Sequence, residues 1–99
     1  MANGAGAAPW SFFDVQPVVI YTKSTCPYCH AAKALLARKG AAFDEIGVDG
    51  DRGKQAAMAE KAGGQFTVPQ IFVGGMHVGG CDDLYDLDAA GELDRLLAG

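Results

Sequence analysis

Apolar residues along this chain change their spacing several times, and each change predicts a new element. Val18-Val19-Ile20-Tyr21-Thr22 is an unbroken β-branched and aromatic run, the pattern of a buried strand. Ala31-Ala32-Lys33-Ala34-Leu35-Leu36-Ala37-Arg38-Lys39 consists of strong helix formers and stops at Gly40, which predicts a helix starting near Pro27. Ala42 to Val48 alternates in part and reads as a second strand. Asp49-Gly50-Asp51 is turn chemistry, with Asp51 placed to cap a helix from about Arg52 to Ala62. Ala56, Met58, Ala59 and Ala62 form the small apolar face of that helix, expected in the core, and Gly63-Gly64 ends it. A third strand, Thr67 to Val73, is entered through Pro69, turns tightly at Gly74-Gly75 and returns as Met76 to Gly79. The last helical stretch carries Leu84, Leu87, Leu93, Leu96 and Leu97, with Gly91 interrupting it. The order is β-α-β-α-β-β-α. Two parallel strands joined by a helix, followed by a hairpin, predict an α/β fold with a central four-stranded mixed sheet and helices on both faces.

Composition narrows the function classes. A chain of 99 residues suits one domain with a modest core, and its 49% hydrophobic and 20% charged residues are ordinary for a soluble protein. No apolar run approaches the roughly 20 residues a membrane helix needs, so no membrane role is expected. The net charge of −4 and the lack of a basic stripe argue against nucleic acid as a partner. Residues 1–16 are Ala- and Gly-rich and then carry Pro9-Trp10-Ser11-Phe12-Phe13, which reads as a flexible N-terminal tail ahead of a domain over residues 17–99. That tail has no basic segment followed by a long apolar one, so no secretory signal is expected, and the location expected is cytoplasmic.

Three cysteines is an odd number, which disfavours a purely structural disulfide framework. Two of them, in Cys26-Pro27-Tyr28-Cys29, fall where the first strand gives way to the first helix. A C-x-x-C in that position reads as a redox pair in a reducing compartment. Pro27 fits the first helical position, since the N–H it lacks would have no intrahelical partner there. The Cys26 sulfur then faces free backbone N–H groups and the positive end of the helix dipole. A thiolate is stabilised in that position, which favours nucleophilic chemistry at Cys26. Cys29 lies one turn into the helix, farther from those donors. Cys26 is therefore the expected nucleophile and Cys29 the resolving thiol. A structural zinc site built from this pair, Cys81 and a histidine is a rival reading, disfavoured by the interior proline. His30 reads as a partly exposed helix residue and His77 as structural or exposed.

Three motifs together, Cys-Pro-Tyr-Cys (26–29) after a strand, Thr-Val-Pro (67–69) before a strand and Gly-Gly-Cys-Asp-Asp (79–83) before a helix, resemble the glutaredoxin family. The likeness is to small dithiol members of bacterial type and spans about Pro17 to Leu97. It implies a thioredoxin fold, glutathione as co-substrate with no metal, and glutathionylated or disulfide-containing proteins as partners of a monomer. It also implies roles. Cys26 and Cys29 are the catalytic pair. Lys23, with Lys61 as a second cation, matches a residue that meets the glycine carboxylate of glutathione. Thr67-Val68-Pro69 matches a loop with a cis proline, where the Val68 backbone pairs with the cysteine of glutathione like an added strand. Cys81, Asp82 and Asp83 match the turn that holds the γ-glutamyl end, and the helix N-termini at Tyr28 and Asp82 supply donors.

Plainer roles compete with several of these. Lys23 could be a solvated surface lysine, Tyr28 a shield for the thiols, Asp82 an N-cap, and Cys81 a buried, unreactive thiol. The alternative function is a dimer that carries a [2Fe–2S] cluster ligated by Cys26 and glutathione, which Pro27 disfavours by stiffening the turn.

Overall fold

The computed structural model describes residues 16–99; the expected tail therefore lies outside the described residues, Trp10, Phe12 and Phe13 included, except for Gln16. Gln16 is held by its backbone N–H, which donates to the Leu97 carbonyl at 3.0 Å. The elements are β1 (Val18–Thr22), α1 (Pro27–Arg38), β2 (Asp44–Gly47), α2 (Arg52–Lys61), β3 (Gln70–Val73), β4 (Met76–Gly79), α3 (Cys81–Ala89) and α4 (Leu93–Ala98). They form one four-stranded sheet in the order β2-β1-β3-β4. β1 runs parallel to β2 and antiparallel to β3, and β3 pairs antiparallel with β4. No helix among the described residues is long and apolar enough to cross a membrane.

The period of two along a strand explains why β1 and β3 carry so few polar side chains. On one face of the sheet Val18 and Ile20 of β1 join Ile71 and Val73 of β3. They pack against Ala32, Leu35 and Leu36 of α1, Leu84 of α3, and Leu93 and Leu97 of α4. On the other face Tyr21 and Phe72 meet Val48, Met58 and Ala62, the last two from α2 and its end. A strand covered on both sides needs an apolar residue at every position, which is the unbroken run read from the sequence. Within α2's expected apolar face, Met58, Ala59 and Ala62 are buried but Ala56 is exposed.

Element ends follow local chemistry. β2 is shorter than the expected 42–48 stretch, and its Asp44, Glu45 and Gly47 are exposed. β3 begins at Gln70, three residues later than expected, because Pro69 has no N–H for the ladder; the Val68–Pro69 bond ahead of it is cis. The Gly74-Gly75 turn has φ of 58° and 83°, a left-handed pair that matches the twist of a hairpin. Gly91, at φ 74°, separates α3 from α4. Lys39, just past α1, forms ion pairs with Asp88 at 2.6 Å and Asp94 at 3.2 Å, tying the helices of one layer together.

Gly79 closes β4 at φ 116°, a backbone state that L side chains rarely adopt. A Cβ there would also run into the Asp83 carboxylate. Gly79→Ala is therefore expected to cost about 1–3 kcal/mol of stability. Gly47→Ala, where a Cβ meets nothing within 4 Å, should change it by less than about 0.5 kcal/mol. Urea unfolding of the two variants side by side checks the contrast.

Candidate active site

The chain leaves β1 through Lys23-Ser24-Thr25, and this short loop is pinned from outside. Asp49, in the turn after β2, accepts from the Ser24 backbone N–H at 3.0 and 3.1 Å and from the Ser24 hydroxyl at 3.2 Å. The Cys26 N–H donates back to the Lys23 carbonyl at 3.3 Å. Cys26 then stands in extended conformation as the N-cap of α1, with Pro27 in the first turn. Its sulfur accepts the Cys29 N–H at 3.2 Å, so a thiol occupies the place a Ser or Asp oxygen usually takes. The Cys26 S–H points to the Val68 carbonyl at 3.6 Å, which sets the cis-proline loop directly beside it.

The two sulfurs differ sharply in environment. Cys26 is partly exposed and Cys29 fully buried, and neither is in a disulfide. Burial, chiefly, pushes the Cys29 thiol from its ordinary 9.0 up to about 12, with the hydrogen bond to Cys26 adding to the rise. The Lys23 backbone and the Lys33 ammonium oppose that rise. Cys81 is 8% exposed, and burial followed by the charge of Asp82 raises its thiol as well. The buried thiol expected at Cys81 is what the fold provides. Among the described residues no group of three or more His, Cys, Asp and Glu is arranged to hold a metal ion.

A cleft of about 240 Å³ runs alongside these groups. Tyr28, Thr67, Val68, Pro69, Cys81, Asp82 and Asp83 line it, so most of the residues singled out from the motifs meet there. Lys23 is half-buried in the loop before Cys26 and Lys61 is exposed at the last turn of α2; neither is part of that lining. Tyr28 is 64% exposed, two residues after Cys26 in the first turn of α1.

The plainer reading of Asp82, as the N-cap of α3, is not met. Gly80, not Asp82, is the N-cap, and the Asp83 carboxylate reaches back to accept the Gly80 N–H at 2.9 Å. A glycine has no side chain to accept from the first turn, so that turn has no side-chain cap. Asp82 is left exposed at the mouth of the cleft with no capping duty. Gln65, Gln70 and Gly80 also line the cleft and were missed from the sequence. A buried amide at the head of an otherwise apolar strand was the available signal for Gln70.

A second polar cluster flanks the site at the end of β1. The Glu45 carboxylate accepts from the Thr22 hydroxyl at 2.7 Å and from Lys33 at 2.9 Å, and these partners hold its carboxyl below the usual range.

Comparison with known proteins agrees with this geometry. The Glutaredoxin family model matches residues 18–78. The chain belongs to the glutaredoxin family. It is 59% identical over 80 residues to Glutaredoxin 3 of Escherichia coli K12, covering 81% of this chain and 95% of that one. It is 58% identical over 82 residues to a Glutaredoxin of Pseudomonas aeruginosa, covering 83% and 96%. Among solved structures, glutaredoxin from Brucella melitensis superposes with a TM-score of 0.76 at 54% identity, covering 86% of this chain and 91% of that one. A buckwheat glutaredoxin–glutathione complex gives 0.74 at 38% identity, covering 83% and 76%. The sheet and its helices are thus those of a thioredoxin-type fold, and this glutaredoxin is a glutathione-dependent thiol oxidoreductase.

The contrast between the sulfurs predicts selective chemistry. Substoichiometric iodoacetamide at about pH 7.5 should alkylate Cys26 and spare Cys29 and Cys81 in the folded protein. Peptide mass mapping reads this directly. Comparable labelling of Cys29 would contradict the burial that sets its proton affinity.

Proposed function

We propose that this glutaredoxin reduces protein–glutathione mixed disulfides, and protein disulfides, with Cys26 as nucleophile and Cys29 as resolving thiol. The observation that carries the reading is the capped Cys26 sulfur, 3.2 Å from the Cys29 N–H and beside the Val68 carbonyl, with its partner thiol buried one turn behind. In the first route the Cys26 thiolate attacks the glutathione sulfur of the mixed disulfide. The substrate S–S bond breaks, the protein leaves as a thiolate that takes up a proton, and Cys26 carries the glutathione. A second glutathione thiolate attacks that glutathione sulfur, giving glutathione disulfide and restoring Cys26. In the second route Cys26 opens a protein disulfide and stays bonded to one substrate sulfur. Cys29 then attacks Cys26, passing its proton to the departing thiolate and leaving a Cys26–Cys29 bond. Two glutathiones reduce that bond and leave as glutathione disulfide. A thiol as reluctant to ionise as Cys29 is a poor first attacker, which supports the division of labour.

Glutathione binding is assigned to the cleft. Its cysteine lies along the Val68 backbone in the manner of an added strand, within reach of Cys26. The γ-glutamyl carboxylate meets the first-turn N–H groups of α3 at Cys81 and Asp82, which have no side-chain cap. Asp82 takes the ammonium, since the Asp83 carboxylate is already engaged by the Gly80 N–H. Thr67, Pro69 and Tyr28 shape the walls, while Lys23 and Lys61 supply positive charge for the glycine carboxylate. The reading extends to glutathionylated and disulfide-containing proteins as partners, a monomeric domain over residues 17–99, and a reducing cytoplasmic setting, in which a dithiol Cys-x-x-C pair works.

Two experiments test it. Glutathione-dependent reduction of a small mixed disulfide, coupled to glutathione reductase, should persist in Cys29→Ser and vanish in Cys26→Ser. Reduction of a protein disulfide should be lost in both, and its survival in Cys29→Ser would remove the role given to Cys29. Asp82→Asn should raise the KM for glutathione about three- to tenfold with little change at saturation, the scale of one charge-assisted hydrogen bond at a partly exposed site. An unchanged KM would place the ammonium elsewhere.

A further inference from the structure

Gln70 opens β3 in register with Tyr21 and is 1% exposed, a primary amide sealed in the head of a strand whose other residues are Ile71, Phe72 and Val73. An amide buried without partners is strongly unfavourable, so its hydrogen bonds must be accounted for. The nitrogen faces three oxygens: the Thr67 carbonyl at 3.0 Å, the Thr67 hydroxyl at 3.2 Å and the Gln65 side-chain oxygen at 3.2 Å. The amide oxygen lies 2.6 Å from His77 Nε2 on β4.

These contacts fix the orientation by elimination. Turning the amide over would press its oxygen against the Thr67 carbonyl, which has no proton to give, so the nitrogen belongs on the Thr67 side. His77 must then carry its proton on Nε2, whether its ring is neutral or charged. His77 is itself braced by its ring, stacked on Phe72 with centroids 5.0 Å apart and 29° between planes. Phe72 in turn meets Tyr21 of β1 edge-on at 5.8 Å. A continuous chain of contacts thus runs from the hairpin through Gln70 to Thr67, the residue before Val68. Val68 holds its carbonyl 3.6 Å from the Cys26 sulfur.

We propose that Gln70, braced by His77, is a positioning residue for glutathione: its amide sets the Gln65–Thr67 segment and thereby the Val68 backbone along which the cysteine of glutathione lies. The inference rests on the assignment of the cleft to glutathione. It adds that the alignment is imposed from the interior, through a side chain that need not touch the reacting atoms. His77, absent from the cleft lining, acts at one further remove.

The test compares wild type with Gln70→Met, which fills similar volume without hydrogen bonds, Gln70→Glu, which keeps an acceptor for His77 but has no donor for Thr67 when ionised, and His77→Phe, which keeps the ring stack on Phe72. Each is assayed for the KM for glutathione, the rate at saturating glutathione, and the rate of Cys26 alkylation by iodoacetamide, with urea unfolding as a check on folding. Gln70→Met and Gln70→Glu are expected to raise the KM about tenfold and His77→Phe about threefold, with the alkylation rate within about twofold of wild type. A residue that serves only stability would lower the active fraction and leave KM in place. A KM within about twofold of wild type in folded Gln70→Met overturns the proposal. If neither Gln70 variant folds, His77→Phe decides by the same criterion, an unchanged KM overturning the proposal. Wild type that turns over a mixed disulfide without saturating in glutathione would instead sink the cleft assignment, a failure distinct from that of Gln70.

Discussion

The first N–H groups of a helix have no acceptor within the helix itself, and α1 finds one for them in a sulfur atom. The bond from the Cys29 N–H to Cys26 Sγ ties a structural requirement to a chemical one. The atom that ends the loop is also the one that caps the helix, so its position is set by the helix and not by the side chain's own rotamer preferences alone. Negative charge on that sulfur is met by an N–H already aimed at it and by the positive end of the helix dipole. The same helical turn carries Cys29 into the core, so a single piece of local geometry makes the two thiols unequal.

Everything around this cap keeps it still. β1 is the hub, with β2 and β3 on either side and an apolar layer on each face, so its C-terminal end is a firm platform for the loop that follows. Asp49 grips Ser24, and Glu45 gathers Thr22 and Lys33. Both carboxylates come from the β2 side, while the opposing wall of the cleft comes from the loop ahead of β3 and from the start of α3. The site therefore collects segments from across most of the domain, and its precision depends on sheet register as much as on any one contact.

The residues that were easiest to interpret in the sequence are those whose pattern is local. The apolar run of β1, the helix formers after Pro27, the Asp51 cap and the Gly74-Gly75 turn each declare themselves within a few positions, and all are present. Gly91 divides the last helical stretch as its position implied. What escaped was decided by tertiary context. Asp82 and Asp83 are adjacent carboxylates of one motif, and only the fold turns Asp83 back onto Gly80 and leaves Asp82 at the cleft. Ala56 looked like its neighbours Met58 and Ala59, but the apolar face of α2 is too narrow to include it. Gln70 stands out in the sequence only as an amide in an apolar run, because its hydrogen-bond partners lie five residues back and seven ahead.

The sheet's two margins bear on how this molecule meets other chains. A bare strand edge is a template on which any extended segment can add itself. β2 is four residues long, with Asp44 and Glu45 exposed along it, and β4 is kinked by one extra residue, Val78, between the pairs Phe72–His77 and Ile71–Gly79. Short, charged and bulged margins make poor templates. Extended peptide arriving from outside thus finds a poor template at the rim of the sheet, whereas the Val68 carbonyl lies 3.6 Å from the Cys26 sulfur.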